Sequence, residues 1–263
     1  MALMEMTFRS QALGFDQSIE VFLPEPKDIG LKKLGKPYRE NLPVLYLLHG
    51  HTDNHTAWLR RSNMERYLHH SDYNMICVCT SMRNFRYADM VYGYNYYTYM
   101  TEELPNMIES TFRASSKRED RFIVGLSMGG GGAMRIAMRN TDRYAAVASL
   151  SGSVTYPPTD QPLNDELYAI YGTRDPWAVK GTEEDAWYLV DKAVESGKPL
   201  PKIYVSCGTA DSALEPNRQF HQHLNELGVE HTYYEEEGLG HEWAFWDSEG
   251  YKLVNEWLPV KRG

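Results

Sequence analysis

Gly125-Leu126-Ser127-Met128-Gly129 constrains this chain more than any other segment, because of what lies on either side of it. Arg121-Phe122-Ile123-Val124 precedes it as a short apolar run, the pattern of a buried strand. Gly130-Gly131-Gly132-Ala133-Met134-Arg135-Ile136-Ala137-Met138-Arg139 follows it and reads as a helix. A strand, a sharp strained turn and a helix make a nucleophile elbow, which holds a serine Oγ exposed above the edge of a sheet. The flanking glycines supply small volume where such a turn crowds its neighbours. The helix N-terminus and the Met128 N–H then lie where they can hold an oxyanion. Ser127 is therefore the candidate nucleophile.

A serine hydroxyl needs a base, and the base needs an acid to orient it. In folds built on this elbow both lie C-terminal to the serine, acid first, each just after a strand. Lys202-Ile203-Tyr204-Val205-Ser206-Cys207 is strand-like and leads into Gly208-Thr209-Ala210-Asp211. His231-Thr232-Tyr233-Tyr234-Glu235 alternates like a strand and leads towards Gly238-Leu239-Gly240-His241. Asp211 is the candidate acid and His241 the candidate base. Asp175 has no strand before it, so in Gly172-Thr173-Arg174-Asp175-Pro176 it reads as a turn or helix cap. His221 and His223 fall two apart on a predicted helix, share no face and read as solvated. His69 and His70 close a helix, where positive charge is favourable.

The second oxyanion donor should come from the loop after an earlier central strand. Leu42-Pro43-Val44-Leu45-Tyr46-Leu47-Leu48 is the most strand-like run in the chain, and His49-Gly50-His51 closes it. The His51 N–H is thus the candidate partner of the Met128 N–H. His49, His51 and His55 lie close in sequence, but no carboxylate or cysteine framework with metal spacing accompanies them. No metal site and no cofactor are expected.

A resemblance to a known family runs through these motifs in order. It is carried by Val44 to Gly50, Asp53-Asn54, Trp58, Tyr92-Gly93-Tyr94-Asn95-Tyr96-Tyr97-Thr98, Glu103-Leu104-Pro105, Gly125 to Gly130 and Gly240-His241-Glu242-Trp243. The chain resembles the esterases that include esterase D (S-formylglutathione hydrolase), bacterial tributyrin esterases, feruloyl and acetyl-xylan esterases, and the mycolyltransferases. It is most similar to the tributyrin esterase branch, from about residue 5 to about residue 258. The resemblance implies an α/β-hydrolase fold, with a mostly parallel sheet and helices on both faces. It maps the family's triad onto Ser127, Asp211 and His241, and its oxyanion donors onto His51 and Met128. Trp58, Tyr92 and Tyr94 are the candidate substrate contacts. The implied activity is hydrolysis of short-chain esters through an acyl-enzyme. Esters of plant polysaccharides, S-formylglutathione hydrolysis and acyl transfer are the alternatives. Gly131-Gly132 extends the glycine run beyond that of many relatives, which predicts a loosened first helical turn.

Bulk properties agree with such an enzyme. A chain of 263 residues with 42% hydrophobic residues suits a single α/β domain. The formal net charge of −9 argues against nucleic acid or an anionic membrane as partner and leaves a small-molecule ester. A homo-oligomer is compatible with the composition. Cys77, Cys79 and Cys207 all fall in predicted strands, and residues 77 and 79 point to one face, a poor geometry for a mutual bridge. That pattern favours a reducing compartment. The first residues lack a basic region and a long apolar stretch, so a cytoplasmic protein without a signal peptide is expected. No apolar run is long enough to span a membrane.

The chain opens with an antiparallel pair, Met6 to Ser10 and Gln17 to Leu23, followed by a polar loop from Gly30 to Asn41 with Lys32, Lys33, Lys36 and Arg39. Strands at 44–49, 75–80, 121–125, 144–150, 202–207 and 231–235 then alternate with helices near 63–70, 101–112, 128–139, 214–227 and 243–257. Residues 151–200, opening with Tyr156-Pro157-Pro158 and carrying helices near 164–171 and 182–196, interrupt the rhythm where hydrolases insert cap elements. Tyr87, Tyr92, Tyr94, Tyr96, Tyr97 and Tyr99 crowd one segment with too many hydroxyls for a simple core strand. It either lines a cleft or packs over the sheet edge with its hydroxyls bonded to backbone.

Overall fold

Parallel strands covered on both faces have no room for polar alternation, and the central strands of this chain are continuous apolar runs. The structure, a computed structural model, describes residues 1–25, 41–71, 74–154 and 161–260. The polar loop expected from Gly30, apart from Asn41, and the Tyr156-Pro157-Pro158 turn lie outside the described residues. The strands are β1 (Ala2–Arg9), β2 (Asp16–Leu23), β3 (Val44–Leu48), β4 (Ile76–Thr80), β5 (Arg121–Leu126), β6 (Ala146–Leu150), β7 (Lys202–Gly208) and β8 (His231–Glu236). They form an eight-stranded sheet ordered β1-β2-β4-β3-β5-β6-β7-β8. The β1–β2 and β2–β4 pairs are antiparallel and all other pairs are parallel.

Alternate side chains of each strand feed two cores. Val44, Tyr46 and Leu48 face a layer that includes α4 (Leu104–Thr111), α5 (Met128–Arg139), α7 (Ala186–Glu195) and α8 (Leu214–Glu226). Leu45 and Leu47 face α1 (Ala57–Arg61), α2 (Met64–His70) and α9 (Trp243–Lys252). The remaining α-helices among the described residues are the short α3 (Tyr96–Thr98) and α6 (Asp165–Tyr171). β3 pairs with β4 on one side and β5 on the other, so strand order reverses there. The crevice at such a reversal, at the C-terminal ends of the strands, is where open α/β sheets bind ligands. His49 to His51 and Ser127 follow directly from β3 and β5.

Three features differ from the sequence reading. The helix expected near 101–112 starts at Tyr96 and passes through a wide turn, Tyr99–Glu103, before α4. Pro105 has no N–H for the Thr101 carbonyl, and the Arg143 guanidinium donates to that oxygen instead. The segment 151–200 divides. α7 buries Leu189, Val190 and Ala193 beside α5 as an ordinary sheet-covering helix. α6 stands apart, with its own small cluster of Leu163, Val179, Leu167 and Tyr171. Finally, Gly131 and Gly132 do not loosen α5. A Cβ at Gly131 would lie 2.3 Å from the Ser153 carbonyl oxygen, and one at Gly132 2.5 Å from the Tyr87 ring. The glycines are what let this turn of α5 dock so closely.

Candidate active site

Ser127 has φ +52° and ψ −118°, a strained conformation for a residue with a Cβ. Three backbone hydrogen bonds hold it there. Its N–H donates to Leu150 O at 2.8 Å, and its carbonyl accepts from Gly131 N–H at 3.2 Å and Ser153 N–H at 3.0 Å. The two motif glycines are sterically required. A Cβ on Gly125 would sit 2.1 Å from the Gly129 carbonyl oxygen, and one on Gly129 2.5 Å from that of His49. The elbow is therefore wedged beneath the end of β3.

The loops after β7 and β8 are joined to each other. Thr209 N–H donates to Glu236 O at 2.9 Å and Ala210 N–H to Leu239 O at 3.0 Å. This joint brings Asp211 and His241 together over Ser127. His241 Nδ1 lies 2.9 Å from Asp211 Oδ2 and 3.1 Å from Oδ1, and its Nε2 lies 2.9 Å from Ser127 Oγ. The carboxylate only accepts, so Nδ1 carries the proton and Nε2 accepts from the serine hydroxyl. Burial pushes the Asp211 carboxyl up, but hydrogen bonds from His241, the Ala213 N–H and Ser151 outweigh it and hold it below its ordinary value. Its side chain is fully buried, whereas that of His241 is 38% exposed.

The loop after β3 is held by a buried imidazole. His49 Nδ1–H donates to Gly50 O at 2.7 Å, and Nε2 accepts from Met82 N–H at 2.8 Å. Burial lowers His49 to about 4, so it stays neutral and keeps this tautomer. The Tyr87 hydroxyl donates to His49 O at 2.9 Å. His51 follows, half exposed, with Nε2 at 3.2 Å from Glu166 Oε1 of α6. Met128 opens α5, and its N–H belongs to the helix's first turn of donors without an intrahelical acceptor. His49, His51 and His55 do not converge; His55 turns to Ser81 Oγ, with both its N–H and Nδ1 at 2.9 Å. Among the described residues no three His, Cys, Asp or Glu side chains are grouped to hold a metal ion.

The expected substrate contacts separate. Trp58 is fully buried, stands edge-on to Trp243 and donates to Leu48 O at 3.3 Å. It is a core residue beneath the sheet, because so large an apolar ring gains most from complete burial. Tyr92 and Tyr94 are exposed, at 58% and 40%. Tyr92 packs on Tyr168 of α6 with ring centroids 5.4 Å apart, and the N–H groups of Val91 and Tyr92 donate to Ile170 and Ala169 carbonyls at 2.9 Å each. Tyr94 meets Phe15 edge-on at 5.0 Å. Tyr87, Tyr96 and Tyr99 are buried instead, so the tyrosine-rich segment is partly core.

Asp175 caps a turn, accepting from Trp177 N–H at 2.9 Å. His221 and His223 are half-buried and paired rather than simply solvated. His221 Nδ1 lies 2.7 Å from His231 Nε2, and His223 lies on Trp187 with Nε2 at 2.8 Å from Asp191 Oδ1. The approach of Glu166 to His51 was not legible in the sequence. Glu166 sits far along the chain from His51, and no local pattern signals that contact.

A strained serine elbow on a mostly parallel eight-stranded sheet, with an acid and a histidine delivered after β7 and β8, defines an α/β-hydrolase. Residues 10–249 match the model of the family described as Putative esterase, and the chain belongs to that family. It is 32% identical over 256 residues to an acetyl esterase of Caldicellulosiruptor saccharolyticus, covering 94% of each chain. It is 31% identical to FphF, a fluorophosphonate-binding serine hydrolase of Staphylococcus aureus, with TM-score 0.86 and 96% of each chain covered. The S-formylglutathione hydrolase FrmB of the same organism is also 31% identical, with TM-score 0.84 over 96% of this chain and 97% of that one. The protein is a carboxylic-ester hydrolase. Among the described residues no helix is long and apolar enough to cross a membrane.

Proposed function

We propose that the protein hydrolyses esters of short acyl chains through a covalent intermediate on Ser127. The observation that carries this reading is the placement of His241, at 2.9 Å from both Ser127 Oγ and Asp211 Oδ2. His241 takes the hydroxyl proton as Oγ attacks the ester carbonyl. The backbone N–H groups of His51 and Met128 hold the tetrahedral oxyanion. His241 then protonates the departing alkoxide, and water repeats the sequence on the acyl-enzyme. Asp211 keeps the imidazole in the productive tautomer throughout. No cofactor enters these steps. Three free, buried cysteines fit a reducing cytoplasm.

The likeness to an acetyl esterase supports a small acyl group. A second reading, hydrolysis of S-formylglutathione, draws support from the likeness to FrmB. The tyrosine-rich segment around Tyr92 and Tyr94 makes an aromatic acyl group such as ferulate a further candidate. A long acyl chain needs a continuous apolar channel, at about 0.8 kcal/mol per buried CH₂. The α6 segment instead brings Asp165, Glu166 and Arg174. Comparison of kcat/KM for p-nitrophenyl acetate, butyrate and decanoate, methyl ferulate and S-formylglutathione tests the reading. Acetate and butyrate should exceed decanoate, with methyl ferulate slower. Decanoate above butyrate contradicts the short-chain assignment, and S-formylglutathione far above every oxygen ester transfers it to the second reading.

A further inference from the structure

Tyr87 belongs to the tyrosine-rich segment, yet it is 2% exposed and none of the catalytic steps above uses it. It has φ +60°, and Arg86 before it has φ +54°. Two successive non-glycine residues in the left-handed region, one of them aromatic, persist only where their surroundings hold them. Here α5 holds them. The buried Arg135 guanidinium donates to the Arg86 carbonyl and lies with Nε 3.4 Å from Glu184 Oε2. The Tyr87 ring rests on Gly132, so closely that a Cβ there would sit 2.5 Å from it.

From this seat the Tyr87 hydroxyl reaches the loop after β3, where it donates to His49 O at 2.9 Å. Burial pushes the hydroxyl well above its ordinary value, so it stays protonated and able to donate. The next carbonyl, Gly50 O, accepts from His49 Nδ1–H at 2.7 Å, and Met82 N–H holds the other side of that imidazole at 2.8 Å. Two successive peptide planes are thereby pinned by their oxygens. In a planar trans peptide the C=O and the N–H point opposite ways, so the bond to Gly50 O aims the His51 N–H. The plane before it, between His49 and Gly50, is the one Tyr87 holds.

An oxyanion hole needs two N–H groups aimed at one point, and here they come from separate elements, Met128 from α5 and His51 from the loop after β3. Resting on the oxyanion assignment above, we infer that Tyr87 is a positioning residue for this hole. Braced on α5, it fixes the His49–Gly50 peptide and so sets the His51 N–H against the Met128 N–H. The strained backbone at residues 86 and 87 is what turns the ring onto Gly132 and its hydroxyl onto His49 O.

Tyr87→Phe tests the assignment, because it keeps the ring on Gly132 and removes only the hydroxyl. Loss of one oxyanion donor outright costs about 10²- to 10³-fold in kcat; a donor kept but misaimed should cost about 10-fold, with KM little changed. Thionoesters, with sulfur in place of the carbonyl oxygen, give the readout that a purely structural defect does not move. Sulfur is larger and a weak acceptor, so a thionoester gains little from the hole. Wild type should prefer p-nitrophenyl acetate over its thiono analogue by more than hydroxide does in solution. Tyr87→Phe should lower that preference by about the factor lost from kcat. Equal losses toward both esters, or kcat within about twofold of wild type, overturn the positioning role. If Tyr87→Phe fails to fold, Gly132→Ala, whose methyl group drives the ring from α5, carries the same test. Two further results keep the failures apart. A wild type with no more preference for oxygen than hydroxide shows, or an active Ser127→Ala, overturns the oxyanion and triad reading itself. A wild-type preference that survives intact in Tyr87→Phe overturns the role of Tyr87 alone.

Discussion

Asp211 and Asp175 both close a Gly-Thr-x-Asp tetrapeptide, yet one is buried against His241 and the other caps an exposed turn. The difference lies one element upstream, where β7 leads into Asp211 and α6 into the loop of Asp175. That distinction was legible in the sequence because a strand-like run precedes only one of them. Asp211→Asn should lower kcat by about 10⁴ through loss of the productive tautomer. Asp175→Asn should leave kcat unchanged. Kinetics on the purified variants decide, and reversed effects would assign the acid to the other carboxylate. Trp58 shows the opposite case. The family resemblance brought it in as a candidate substrate contact, but it is buried, and its burial depends on Trp243, from the far end of the chain.

At the scale of elements, the central strands could be read directly, because burial on both faces leaves a continuous apolar run. α5 begins and ends where the pattern places it, at Met128 and Arg139. The start of the composite helix at Tyr96 was not legible, because its tyrosines suggest a loop or cleft rather than a helix. The contact of α6 with the Val91–Tyr92 backbone was hidden for another reason: backbone pairing between distant loops leaves no residue pattern. The glycine run of α5 yields a prediction whose sign depends on packing. Helix propensity alone makes Gly131→Ala stabilising by about 1 kcal/mol. The Ser153 carbonyl at 2.3 Å from the new Cβ should reverse this. Overpacking of this kind costs about 1–3 kcal/mol. Denaturant unfolding should therefore show Gly131→Ala less stable than wild type. A variant as stable as wild type would mean that α5 shifts freely.

For the molecule as a whole, the reversal of strand order beside β3 places the elbow and the His51 loop side by side, and β7 and β8 complete the site. A second, remote feature gives the fold a pH dependence. Glu20 of β2 lies opposite Glu5 of β1 and Cys79 of β4 and is 4% exposed. Burial first, then the Glu5 charge, push its carboxyl from 4.5 up to about 7, against the pull of Arg60. The folded state thus holds this proton more tightly than the unfolded one. The resulting stabilisation is full below about 4.5 and is lost as pH rises through about 7. Glu20→Gln should raise Tm relative to wild type more at pH 8 than at pH 5. An equal difference at the two pH values would remove Glu20 as the cause.

The central claim is that one serine carries the chemistry. A serine-directed fluorophosphonate tests it most directly, with the modified residue located by peptide mass spectrometry and ester hydrolysis followed in the same sample. Adduct should form at Ser127 alone as activity disappears. Ser127→Ala should take up no label and should lose about 10⁴- to 10⁶-fold in kcat while remaining folded. Adduct on another serine, or an alanine variant that keeps a sizeable share of the activity, would contradict the account.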